Sequence, residues 1–133
     1  MWPRTRSRSA SPTDTSAAVA ESDAVVVVVP LFVNAEGVPD FEWMDNATRS
    51  IAAGLKPGTL VVYETTLPVG TTRNRFGPIL EEMSGLTMGR DFSLAFSPER
   101  IRTGRIFADL ANYPKVVGGI DAASTDKAAA FYA

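Results

Sequence analysis

A chain of 133 residues that is 45% hydrophobic and 21% charged has the size and balance of one ordinary globular domain. Its net charge of −2 offers no field to draw nucleic acid or anionic lipid. It has no cysteine and no histidine, which removes disulfides, thiolate metal sites, a thiol nucleophile and the commonest general base. Chemistry is left to carboxylates, Lys, Tyr, Ser, Thr or a cofactor.

The opening stretch 1–12, "MWPRTRSRSASP", alternates Arg4, Arg6 and Arg8 with Ser, Thr and Pro. It holds too little apolar surface to offset its ordering entropy and is expected to be a disordered basic tail, with 13–133 as the domain. A transit peptide, a tail touching nucleic acid and a start inside a longer gene are the other readings of that composition. Residues 15–20 predict a short helix. Asp23 then leads into "AVVVVVP", a β-branched run apolar on both faces, which reads as a central strand of a parallel sheet and as core. Pro39 and Asp40 open a helix in the N-cap manner, and Phe41, Met44, Thr48, Ile51 and Leu55 form its stripe until "KPG" at 56–58 stops it. "TLVVYE" at 59–64 is the next strand. Phe76, Ile79, Leu80 and Met83 mark a further helix, which Pro78 should kink or bring to its regular part. "FSLAFSP" at 92–98 is a third strand, 104–111 a short helix, "YPKVVGG" at 113–119 a fourth strand, and Asp121 the cap of a last helix.

This alternation predicts parallel βαβ units with right-handed crossovers. No apolar run approaches the roughly 20 residues of a membrane span, and no signal-peptide core is present, so a cytoplasmic protein is expected, with no membrane or nucleic-acid partner. No metal site is expected.

In open parallel sheets ligands bind beyond the carboxyl ends of the strands. Four segments then converge on one edge: Pro30, Leu31 and Phe32; Thr65 and Thr66 with Gly70, Thr71 and Thr72; Ser97, Pro98, Glu99 and Arg100; and Gly118 and Gly119. Each has a plain reading beside the functional one. Thr71 or Thr72 is most simply a helix N-cap, although the same helix start suits an anion. Arg73 and Arg75 either stay solvated or face a phosphate. Thr65 and Thr66 either satisfy nearby backbone or meet a ligand. Glu99 beside Arg100 is either a surface ion pair or a catalytic acid. The glycines permit a turn. Neither G-x-G-x-x-G nor G-x-x-x-x-G-K-[ST] occurs in the chain.

Taken together, "SDAVVVVVP", "PDFEWMDNATRSIAAGLKPGTLVVYETTLPVGTT", "FSPERIRTGRIF" and "YPKVVGGID" resemble the N-terminal half of the UDP-glucose/GDP-mannose dehydrogenases, in the manner of the UDP-N-acetyl-mannosamine branch. The resemblance covers 13–133. It implies an α/β fold: an incomplete Rossmann-like, mostly parallel sheet with helices on both faces, lacking the first βαβ unit. It implies NAD as cofactor, a UDP-sugar substrate, oxidation of its C6 alcohol to the acid through a cysteine-bound intermediate, and a homo-oligomeric parent enzyme. Carried over residue by residue, Val29, Pro30 and Leu31 match the segment along the cofactor, and Thr65, Thr66 and Leu67 the loop beside the nicotinamide ribose. Thr66 matches a threonine that helps hold a catalytic water. Glu99 matches the glutamate at the reacting centre, and Arg100, Ile101, Arg102 and Thr103 the loop lining the sugar nucleotide.

The departures shape the expectation. Leu31-Phe32 stands where many members have Thr-Pro, and Thr103 where the UDP-glucose branch has a second glutamate. The phosphate-binding glycine loop and the nucleophilic cysteine are absent from the chain, so it is expected to be inactive alone and to hold NAD weakly or not at all. A non-catalytic α/β binding or interaction module is the competing reading. A receiver-like domain ranks last, because Asp23 stands at a strand's start rather than at its carboxyl end.

Overall fold

The computed structural model describes residues 14–101, 104 and 106–133; the basic stretch 1–12, and Arg102 and Thr103, lie outside them. Its centre is a four-stranded sheet. The strands are β1 (Ala24–Val27), β4 (Leu60–Tyr63), β5 (Ser93–Phe96) and β6 (Gly118–Gly119), side by side in that order. A separate two-stranded ribbon joins β2 (Phe32–Val33) to β3 (Pro39–Asp40). β1, β4 and β5 are parallel, with Ala24 opposite Leu60 and Leu60 opposite Ser93.

The apolar run of β4 is buried at every residue because both faces are covered. Val61 and Tyr63 face α1 (Thr15–Ala20), α2 (Glu42–Gly54) and α3 (Gly77–Ser84) through Val19, Met44, Ile51 and Leu80, and the turn before α3 through Phe76. Leu60 and Val62 face α5 (Ala122–Tyr132) through Ala128 and Phe131. The helices therefore lie on both faces, as expected.

The capping chemistry explains most boundaries. Asp14 accepts the Ala17 N–H at 3.1 Å to start α1, and Asp121 accepts the Ser124 N–H at 2.7 Å to start α5. α2 buries the expected Met44, Thr48 and Ile51 and ends before Lys56-Pro57-Gly58. Gly54 is required there: a Cβ would strike the carbonyl of Ser16 in α1. α3 closes on Gly85, whose φ of 73° is left-handed.

Five expectations are corrected. Val26 and Val28 are 39% and 67% exposed, so the valine run is not all core. β1 is an edge strand of the described sheet, and α5 packs over β4 and β5 rather than over it. Pro39 and Asp40 form β3, because the Asn34 side chain accepts the Glu36 and Val38 N–H groups and folds 32–40 into a hairpin; Asp40 stands one residue before the N-cap position, held by Phe41, yet its carboxylate still accepts the Glu42 N–H at 3.0 Å and so satisfies the start of α2. Thr71 holds the N-cap position with helical dihedrals and no capping bond; its hydroxyl donates back to the Pro68 carbonyl at 2.7 Å. The fourth strand is two residues long and runs antiparallel, with Gly118 opposite Phe96 and Gly119 opposite Ala95. The Ser97 hydroxyl donates to the Val116 carbonyl at 2.8 Å and holds the returning chain at the same sheet edge it left, as the antiparallel register requires. Gly118 and Gly119 are thus the strand itself, not a segment following it.

Pro78 brings its helix to the regular part, one of the two expected outcomes. The turn before it, Thr72–Phe76, is a π-helical turn closed by the Gly77 N–H on the Thr72 carbonyl, since Pro78 has no N–H to continue an α-ladder. α4 (Ile106–Asn112) starts two residues later and ends one residue later than the expected short helix 104–111. Among the described residues no helix is long and apolar enough to cross a membrane.

Candidate active site at the carboxyl edge of the sheet

Three parallel strands deliver their following residues to one edge. After β1, Val29 and Leu31 are half-buried and Pro30 is exposed. After β4, the Thr65 hydroxyl donates to the Val29 carbonyl at 2.6 Å and locks the two strand ends together. This is the backbone-satisfying role open to it from sequence. Thr66 is exposed beside it, and Leu67 packs on the core with Val29 and Leu31.

After β5, the Glu99 N–H reaches the Glu64 carbonyl at 3.1 Å, which continues the β4–β5 ladder past Pro98. One oxygen of the Glu99 carboxylate accepts the N–H groups of Arg100 and Ile101, both at 2.7 Å. The other lies 4.0 Å from the Lys115 ammonium. Arg100 is not the ion-pair partner of Glu99; its guanidinium stands 5.8 Å over the Tyr113 ring. Ile101 is half-buried.

Lys115 belongs to the chain returning before β6. It lies 3.0 Å from Glu64 Oε1 and 4.8 Å over the Tyr132 ring. The Tyr132 hydroxyl donates to the same Glu64 oxygen at 2.5 Å. Its pKa is pushed up, first by burial and then by the bond to Glu64. Glu64, Lys115 and Tyr132 were not singled out from sequence. Glu64 is the last letter of "TLVVYE" and was absorbed into the strand. Lys115 comes to the carboxyl edge only because β6 runs antiparallel. Tyr132 lies in a helix read for its cap alone.

The edge therefore presents two carboxylates of different kind. Glu64 is held by a cation and a phenol and is largely covered. Glu99 is about half exposed (47%), with one oxygen held by two backbone N–H groups and the other turned toward Lys115. Two exposed or half-buried threonines stand on the β4 side. Among the described residues no group of three acidic, His or Cys side chains is arranged for a metal.

A parallel α/β sheet with hydroxyls and a carboxylate at its carboxyl edge is the architecture of nucleotide-binding dehydrogenases. The chain belongs to the UDP-glucose/GDP-mannose dehydrogenase family: the family's NAD binding domain matches residues 4–133. The UDP-N-acetyl-D-mannosamine dehydrogenase of Pyrococcus horikoshii is 36% identical over 94 residues, 71% of this chain and 22% of the relative. That of Salmonella typhimurium is 32% identical over 116 residues, 83% of this chain and 28% of the relative. An NDP-N-acetyl-D-galactosaminuronic acid dehydrogenase from Methanosarcina mazei superposes with a TM-score of 0.81 at 41% identity, over 90% of this chain and 25% of that one. A ternary complex of GDP-mannose dehydrogenase from Pseudomonas aeruginosa also gives 0.81, at 27% identity, over 91% and 29%. The chain spans about a quarter of the length of these relatives.

Proposed function

We propose that the chain is part of the NAD-binding half of an NAD-dependent nucleotide-sugar dehydrogenase that oxidises the C6 alcohol of a UDP-sugar to the acid. The observation that carries this reading is the convergence of Thr65, Thr66 and Glu99 on one sheet edge in a chain of that family. NAD is the cofactor of the reading, and the residues present fit one part of it. Val29, Pro30, Leu31, Thr65, Thr66 and Leu67 form a ledge, half-buried except at the exposed Pro30 and Thr66, suited to a ribose and nicotinamide. No glycine-rich loop is in the chain to cradle the pyrophosphate.

A bound NAD supplies the hydride acceptor. What this chain contributes is position and charge. Thr65 fixes the ledge by its bond to Val29. Thr66 offers a hydroxyl to an attacking water, and Glu99 a carboxylate to take up or return a proton at the C6 oxygen or at that water. Arg100, Ile101, Arg102 and Thr103 line the sugar nucleotide in this reading. The whole protein would be a cytoplasmic homo-oligomer, and residues 1–12 a basic tail ahead of the domain 13–133.

The chain has no thiol, so oxidation past the aldehyde by a cysteine-bound route does not proceed on it alone. With NAD and UDP-N-acetylmannosamine, the purified chain should form no NADH by absorbance. Nuclear magnetic resonance titrations with millimolar NAD or UDP-sugar should shift the amides of residues 29–31, 65–67 and 99–101. NADH formation would overturn the expected inactivity. Shifts absent from all three segments would overturn the site.

A further inference from the structure

On the sheet face that carries α3, a cavity of about 260 Å³ opens between the loop after β4, the start of the following helix and β6. Leu67, Phe96 and Ile120 give it apolar walls, Gly118 and Gly119 a backbone floor, and Thr72 and Arg73 its polar end. The helix begins at that polar end without a side-chain cap. The Thr71 N–H turns back to the Pro68 carbonyl, and the Asn74 N–H is taken by the Gly70 carbonyl at 2.8 Å. The N–H groups of Thr72 and Arg73 have no acceptor among the described residues.

The second observation is Thr72 itself. It is only 9% exposed and lines the cavity, yet its hydroxyl has no hydrogen-bond partner among the described residues. The residue is largely covered while its hydroxyl keeps some exposure, so the hydroxyl is open to a ligand in the cavity. Charge points the same way. The first turn holds no acidic residue and two arginines, against the helix dipole. Asp45 neutralises Arg75, whereas Arg73 donates only to the uncharged Ile120 carbonyl at 2.5 Å, with Asp121 the acidic group beyond it.

We propose that this cavity binds a small organic anion. Its carboxylate or phosphate rests on the Thr72 hydroxyl and the N–H groups of Thr72 and Arg73, with the Arg73 guanidinium supplying charge. Its apolar body lies against Leu67, Phe96 and Ile120. The volume is below the 300 Å³ or so of a drug-sized site, which limits the body to about one ring. The site is separate from the dehydrogenase ledge and shares only Leu67 with it.

Titration of the folded chain with phenyl phosphate, inorganic phosphate and phenol, followed by amide resonances, tests this. Phenyl phosphate should shift Thr72, Arg73 and Gly119 saturably and bind tighter than phosphate, while phenol should leave Thr72 and Arg73 unmoved. Thr72→Val keeps the shape and removes the hydroxyl; it should weaken phenyl phosphate about tenfold. The exposed Arg73→Gln, which does not endanger the fold, should weaken it severalfold and flatten its salt dependence. No saturable shift at Thr72 and Arg73, or binding that survives both substitutions, would overturn the site. Phosphate binding as tightly as phenyl phosphate would overturn the apolar half of it.

Discussion

The Lys115 ammonium lies 3.0 Å from the Glu64 carboxylate, and this pair joins the end of β4 to the chain returning from the far side of β5. The Ser97–Val116 bond lies beside it. Residues 98–115, which contain the loop proposed for the sugar nucleotide, are therefore an excursion whose two ends are tied together. Lys115→Met should cost about 1 kcal/mol in urea unfolding, since the pair is only partly covered. It should also speed exchange of the Glu99 amide. Lys115→Arg should restore both. Normal exchange in Lys115→Met would show that the tie is not made by the lysine.

Tyr132 adds a pH dependence. Its pKa is raised above the ordinary value near 10 by burial and by its bond to Glu64, and that of Tyr63 by burial, which outweighs the opposing bond to Thr48. As pH rises past about 10, the unfolded chain releases these protons while the folded chain keeps them. The unfolded state then binds fewer protons, so stability falls with rising pH. The contribution is fully present below the unfolded pKa. Urea midpoints should decline above pH 10 or so, and Tyr132→Phe should make the decline shallower. Equal slopes for the two proteins would exclude Tyr132 as a source.

Asp45 and Arg75 couple α2 to the π turn. The contact is bidentate, at 2.9 and 2.6 Å, and the guanidinium also stands 4.4 Å over the Phe41 ring. Asp45 is 8% exposed, so removing its partner leaves a nearly buried charge. Arg75→Met should cost about 2 kcal/mol or more, with much of it recovered in the double variant Asp45→Leu/Arg75→Met. Additive losses would show that the pair is not coupled.

Thr59 is fully buried and its hydroxyl has no partner. Thr59→Val keeps the shape and removes the unmet polar group, so it should stabilise the fold by about 1 kcal/mol. A lower melting temperature would show that a bridging water satisfies the hydroxyl.

What the sequence disclosed follows from where its information lies. β4 was legible because four buried residues leave one reading of "LVVY", and α2 because its stripe is long. β6 was not, since two glycines carry no alternation from which direction can be read. Its reversal also hid Lys115, which a parallel strand would have carried away from the edge. The π turn at Thr72–Phe76 follows from Pro78, but its consequence for Thr71, a lost cap, depends on three-dimensional register. Of the site, Thr65, Thr66 and Glu99 were found by topology and family likeness, whereas the partners of Glu64 come from elements 51 and 68 residues away.

The valine run shows the same limit and yields a last prediction. Val26 and Val28 point to the face that α5 leaves bare over β1, and β1 is an edge strand of the described sheet. An exposed apolar face on an unpaired edge favours self-association through strand addition. Val28→Lys places a charge on that edge without touching the core, because Val27 and Val25 face the other side. It should shift sedimentation toward monomer at equal concentration and leave the melting temperature nearly unchanged. Unaltered sedimentation would mean that this edge does not drive association.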